Sequence, residues 1–184
     1  MEFMVKEPCE IKRTHYKKNG IKTKNRKIDE DNACWKTPEC DKDYCTYPGC
    51  YVFALKISGG YRPIYVGKTN KSFKDESFST SNLKKYNEAL IEHKGIPVLF
   101  FIYDSNFKKY NGKISQKNSK IITKVENVLI EAGAIKNPDL KNIRGKNKKI
   151  EWSIKGVINN NIHNNGKGKP NGDARTFKKM MGFN

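Results

Sequence analysis

The chain has 184 residues, 36% of them hydrophobic and 30% charged, which suits one soluble domain with attachments. Its formal net charge is +18, and the surplus is uneven: residues 1–47 carry 11 bases and 9 acids, residues 48–184 carry 26 and 10. The longest apolar run, 97–103, is far too short for a membrane helix, and five cysteines with no export signal argue against a disulfide scaffold.

A reduced, cytoplasmic protein is therefore expected, without a membrane partner. Of the basic residues 32 are Lys, and Asn occurs 20 times. An A+T-rich coding sequence produces such a bias without functional cause, so where the charge lies says more than its total. A field of this size on residues 48–184 draws polyanions, nucleic acid first.

Taken in chain order, residues 1–47 show no apolar period and read as an irregular N-terminal extension. Eight basic residues and no acid fall between Lys12 and Lys27, followed by Asp29-Glu30-Asp31. Such an arm either lies on a phosphate backbone or is only a soluble extension. Pattern sharpens at Pro48. Residues 50–57 are aromatic and β-branched, Ser58-Gly59-Gly60 is turn chemistry, and 63–66 reads as a second strand, making a hairpin. Ser81 is placed to cap a helix running to His93, with Leu83, Tyr86 and Leu90 inward and Gly95 ending it. The unbroken apolarity of 97–103 predicts a strand buried on both faces. A polar loop over 104–118 follows.

The next helix has the clearest period: Ser119 as cap, then Ile121, Ile122, Val125, Val128, Leu129 and Ala132. Residues 152–158 read as a short strand or packed segment, 159–172 as a Gly/Asn-rich loop, and 174–181 as a short helix. The class is α+β, with a core over 48–150 and a C-terminal extension over 151–184.

Two local features point to chemistry. At about 100° per residue, Glu126 lies about 40° from Ile122 and Ile130 and about 60° from Leu129, inside the apolar stripe of its helix. A carboxylate there either reaches solvent at the edge of the stripe, pairs with a lysine, or faces a ligand. The hairpin supplies the second feature. It brings Tyr51 and Tyr65 towards one end of the sheet, where Gly67 lets the backbone pass close to a ligand and Lys68 projects. Two phenols and an ammonium suit an anionic substrate, although a plain hairpin with surface tyrosines has the same sequence.

Gly49-Cys-Tyr51, Tyr65-Val-Gly67, Glu126 on a helix and Asn142 beyond it, in this order over residues 48–148, resemble the GIY-YIG nuclease superfamily. The resemblance implies a small three-stranded antiparallel sheet flanked by helices. It also implies metal-dependent hydrolysis of DNA phosphodiester bonds, with one Mg²⁺ or Mn²⁺ per active site held by Glu126. Tyr51 would then be the general base or orient the attacking water, and Tyr65 would position the scissile phosphate. Lys68 would lower the pKa of Tyr51 or contact phosphate, and Asn142 would support the site. The arginine that the family carries about eight residues after its second glycine is Asp75 here, so Lys74 is the candidate phosphate contact, without arginine's bidentate fork. The corresponding region of the following helix holds Tyr86 and Asn87. Lys71, Lys84, Lys85, Arg144 and Lys146 are candidate nucleic-acid contacts.

Other chemistries fit less well. No acid-x-Lys follows Pro138-Asp139, the three histidines stand apart, and no phosphate-cradling Gly-x-x-x-x-Gly-Lys-Ser/Thr occurs. Cys34, Cys40, Cys45 and Cys50 are spaced by five or six residues, which argues for free thiols over structural zinc. The compact size favours a restriction-like, sequence-specific endonuclease. A non-catalytic nucleic-acid-binding module and a basic RNA-associated protein are the competing expectations. A homodimer would let one site per subunit cut both strands; Phe177, Met180 and Met181, read as the inward face of the last helix, are either packed home or the one contact patch on offer.

Overall fold

In a computed structural model, the described residues are 2–6, 8–11, 44–107, 114–142, 153–154, 157 and 172–182. Lys12–Lys27, Cys34, Cys40, Arg144, Lys146 and most of 159–172 lie outside them.

The strand-forming runs on either side of Ser58-Gly59 pair as predicted. β3 (Gly49–Ile57) and β4 (Gly60–Thr69) form an antiparallel hairpin in which Val52 faces Val66, Tyr51 faces Gly67 and Cys50 faces Lys68. Gly60 takes φ 131°, a backbone angle open chiefly to glycine. β5 (Ile96–Tyr103) lies antiparallel on the other side of β3, with Tyr51 opposite Phe101. These three strands are the predicted sheet, but the observed one is larger. β1 (Glu2–Val5) pairs antiparallel with the C-terminal half of β5, and β2 (Cys9–Glu10) with its N-terminal half. β6 (Ser153–Ile154) pairs parallel with β1, so five strands run in the order β4-β3-β5-β1-β6 with β2 also beside β5.

The expectation of three strands is therefore corrected, together with that of an irregular segment at 2–5 and 9–10. The cause lies in β5. Its residues Val98–Ile102 are at most 1% exposed, and a strand buried that deeply needs backbone partners on both edges. Phe3, Val5 and Ile11 bury with β1 and β2 at 0%, 6% and 3% exposure.

The pleat divides the apolar residues between two faces. Cys50, Val52, Ala54, Val66, Phe100 and Ile102 lie under α3 (Gln116–Lys136) and α4 (Gly172–Met181). Tyr51, Phe53, Leu55, Leu99 and Phe101 lie under α1 (Phe73–Glu76) and α2 (Thr80–Glu92). The predicted helices are present with shifted starts. Ser115, not Ser119, caps α3 by accepting from the Asn118 amide at 3.2 Å, and α2 begins after Ser79. The four-residue α1 has no apolar period to announce it.

Phe177, Met180 and Met181 are at most 3% exposed, and Phe177 packs its ring 5.4 Å from Phe100. They pack inward as the helix pattern predicts, and so do not form a contact patch. They close the face of the sheet that α3 leaves uncovered. The outer edge of β4 is covered by the segment after α3: Asn137 Nδ2 donates to Pro63 O at 2.7 Å and the Lys141 amide donates to Ile64 O at 2.8 Å. Among the described residues no helix is long and apolar enough to cross a membrane.

If β1 belongs to the core, Phe3→Ala should cost about 3 kcal/mol in urea unfolding, the usual loss for emptying a buried aromatic site. A cost near zero would show the N-terminal strand to be dispensable.

Candidate active site

The hairpin register creates the site. Tyr51 stands opposite Gly67, and a Cβ added at Gly67 would overlap the Tyr51 ring at Cζ, Oη and Cε2, the last at 2.6 Å. Only glycine lets this ring lie across β4. Gly49 is equally constrained, since a Cβ there would meet Ile102 O and, at 2.8 Å, the Phe73 ring. The two glycines and two tyrosines of the motif thus have a shared packing role at one end of the sheet.

Tyr51 is 1% exposed, and its hydroxyl accepts from Asn82 Nδ2 at 2.7 Å. The same amide nitrogen donates to Glu76 O at 2.8 Å, which fixes its orientation. Tyr65 lies on the same face, its ring 6.4 Å from that of Tyr51, with Lys85 Nζ 4.1 Å above it in a cation–π contact. Burial pushes the Tyr51 phenol well above the ordinary tyrosine range, and Tyr65, Glu76 and Glu126 add to the shift against a smaller opposing effect of Asn82. The expectation that Lys68 lowers this pKa is corrected: the phenol keeps its proton at neutral pH.

Lys68 leaves β4 on the opposite face, beside α3. Its Nζ sits 3.0 Å from Glu126 Oε2 and donates to Thr123 Oγ1 at 2.9 Å. Thr123 passes its own proton to Ser119 O at 3.0 Å, and Ser119 Oγ accepts from Asn70 Nδ2 at 2.9 Å. The end of β4 is thereby tied to three successive turns of α3. Glu126 is partly buried, its side chain 18% exposed, so of the options its stripe position left open the structure has the lysine pair. Beneath it, the Cys50 thiol donates to Ile122 O at 3.4 Å. Burial holds that thiol well above its ordinary range, reinforced by Glu126 and opposed by Lys68. Cys50 is a packed thiol, not a nucleophile.

Asp75, at the family's arginine position, is engaged in capping α1. Its carboxylate accepts from Ser72 Oγ at 2.6 Å and its amide donates back to Ser72 Oγ at 3.1 Å. Lys71, Lys74 and Lys84 are exposed, and Tyr86 is core, stacked 4.0 Å from Phe53 with its hydroxyl on Ser77 O. Asn142 accepts from the Val66 amide and donates to Val66 O, both at 2.7 Å, completing the cover on β4. Asn82 and Thr123 were not foreseen. Asn82 lies four residues before Tyr86 on the inward stripe of α2, which is the signal that would have found it.

Glu126 suits a hard divalent cation: it is partly accessible and already holds a positive group. Among the described residues no three His, Cys, Asp or Glu side chains converge, so the remaining ligands at Glu126 would be water and phosphate oxygens, as Mg²⁺ and Mn²⁺ accept. Comparison with protein-family models, curated proteins and solved structures gave no match.

Because the Tyr51 pKa is raised in the folded state, this residue takes away stability as pH rises above the ordinary tyrosine value of about 10. Tyr51→Phe should therefore flatten the alkaline limb of a stability–pH curve, and wild-type phenolate absorbance should contain a component, missing from Tyr51→Phe, that ionises only on unfolding.

Proposed function

We propose that the protein is a metal-dependent DNA endonuclease of the GIY-YIG type, restriction-like and sequence-specific, hydrolysing phosphodiester bonds. The observation that carries this reading is the register at one sheet end: Tyr51 across Gly67 on one face, and Lys68 on Glu126 one residue further on the other. Acid, ammonium and phenol gathered around a single edge strand are the groups that phosphodiester hydrolysis needs.

Their roles follow from their surroundings. Asn82 occupies one lone pair of the Tyr51 hydroxyl, and with the residue 1% exposed its part on this reading is to position the site from beneath. Tyr51 thus orients and does not act as the base. Tyr65, with Lys85 on its ring, flanks the phosphate, and Lys68 and Lys85 offset its charge. Glu126 would hold the cation, whose contribution when bound is to stabilise charge on the phosphate and on the leaving oxygen. Exposed Lys71, Lys74 and Lys84 add attraction for the backbone, together with Arg144 and Lys146 from outside the described residues.

A second reading draws on Asp75. With a helix-capping acid where the family has its phosphate-clamping arginine, a binding module that has lost catalysis accounts for the same charge.

Supercoiled plasmid incubated with protein and Mg²⁺ separates the two. Metal-dependent cutting into discrete fragments, reduced at least 100-fold by Glu126→Gln while gel-shift affinity stays within a few-fold, supports the enzyme. Intact plasmid that shifts in the gel for both proteins supports the binding module.

A further inference from the structure

The carboxylate that would hold a metal already holds a cation of the chain. Lys68 Nζ and Glu126 Oε2 are 3.0 Å apart, with side chains 32% and 18% exposed, so water screens the pair only in part. The ammonium is also steered. Thr123 Oγ1 commits its proton to Ser119 O and so presents a lone pair to Nζ, at 2.9 Å, from a second side. Lys68 is therefore seated by two acceptors on one helix. Its stem is four flexible carbons long, enough to swing to a phosphate at the strand end without moving the strand.

We propose that Lys68 is a place-holder: without DNA its ammonium occupies the cation position at Glu126, and an incoming backbone phosphate draws it off, so that DNA and divalent metal bind cooperatively. The inference rests on Glu126 being the metal-holding carboxylate. Two cations in contact with one carboxylate oxygen repel each other, so the carboxylate exchanges one for the other. The phosphate gives Lys68 the anionic partner it gives up, and by linkage each ligand must then tighten the other equally. In the free protein the pair also keeps Glu126 from being an uncompensated, half-buried charge.

Mn²⁺ binding to the full-length protein tests this, read from the electron paramagnetic resonance signal of free Mn²⁺. It is measured alone and with a short phosphorothioate duplex that resists cutting. Lys68→Met and Lys68→Gln should each bind Mn²⁺ about tenfold more tightly than wild type without DNA. The duplex should bring wild type to a similar affinity and add little to either variant. Lys120→Gln, which removes one exposed charge from the helix that carries Glu126, should change affinity less than about twofold. Thermal melts identify a variant that fails to fold, and the two Lys68 substitutions serve as replacements for each other.

Equal affinity of wild type and both Lys68 variants, with Glu126→Gln weakening all three, would overturn the place-holder and leave the metal assignment standing. An equal gain from Lys120→Gln would overturn it in favour of general charge. If Glu126→Gln changed Mn²⁺ binding in no protein, with or without duplex, the metal assignment itself would fall.

Discussion

Everything at the candidate site depends on the one-residue precision of the β3–β4 register. With Tyr51 opposite Gly67, the phenol crosses a strand that carries no side chain there, and the next pair, Cys50 and Lys68, is sent to the other face. A slip of one residue would exchange the faces. Were β4 to slip, Lys68 would meet the buried tyrosine layer under α2 and Gly67 would no longer lie under the Tyr51 ring. The register is held from both sides, by β5 along β3 and by the 137–142 segment along the free edge of β4, where Asn142 closes on both backbone groups of Val66. Asn142 belongs to the site in this sense. It acts on the strand and not on a ligand.

Much of this arrangement was legible in the residues. Cys50 to Tyr103 is dense in β-branched and aromatic side chains with a clear turn signal between two runs, and such patterns specify a hairpin before any tertiary contact. The position of Glu126 within a stripe of Ile and Leu was likewise visible, because a 3.6-residue period leaves no polar place there. What stayed hidden were features that need a partner to exist. Glu2–Val5 is too short to show a period, and it becomes a strand only because β5 has an open edge. Asn82 reads as a polar residue on a helix until Tyr51 is placed 2.7 Å away. Phe177, Met180 and Met181 read as an inward face without a partner until the sheet face beneath them is known. Asp75 reads as a lost arginine, whereas locally it answers to Ser72 three residues earlier, and that short-range capping demand is independent of the site.

The two halves of the site also differ in how they are stabilised. On the α2 side, the phenols are held by packing and by one amide whose two N–H groups are both used, which gives rigidity without charge. On the α3 side, a lysine, a glutamate and a threonine are held by charge-assisted hydrogen bonds on a partly wet surface, which can rearrange within the reach of one side chain. Rigid donors on one face and exchangeable charge on the other are separated by a single strand. Such a division places fixed geometry in the core and exchangeable charge where solvent competes.

The pairing of β1 between β5 and β6 has a consequence for biogenesis. β1 is made before either strand it joins: its antiparallel partner follows about 100 residues later and its parallel partner about 150 residues later. At roughly 5–20 residues per second, β1 waits on the order of 10 s for the strand it joins. Phe3 and Val5 stay in water during that interval, and the charges around them, Glu2, Lys6 and Glu7, serve as gatekeepers against association with other nascent chains. The hairpin carrying Tyr51 and Lys68 is complete well before Glu126 emerges, and α4, which covers Phe100, follows later still. Synthesis thus brings the acid of the candidate site into place only after the hairpin has been made, and a chain that stops before α4 leaves Phe100 without its Phe177 cover.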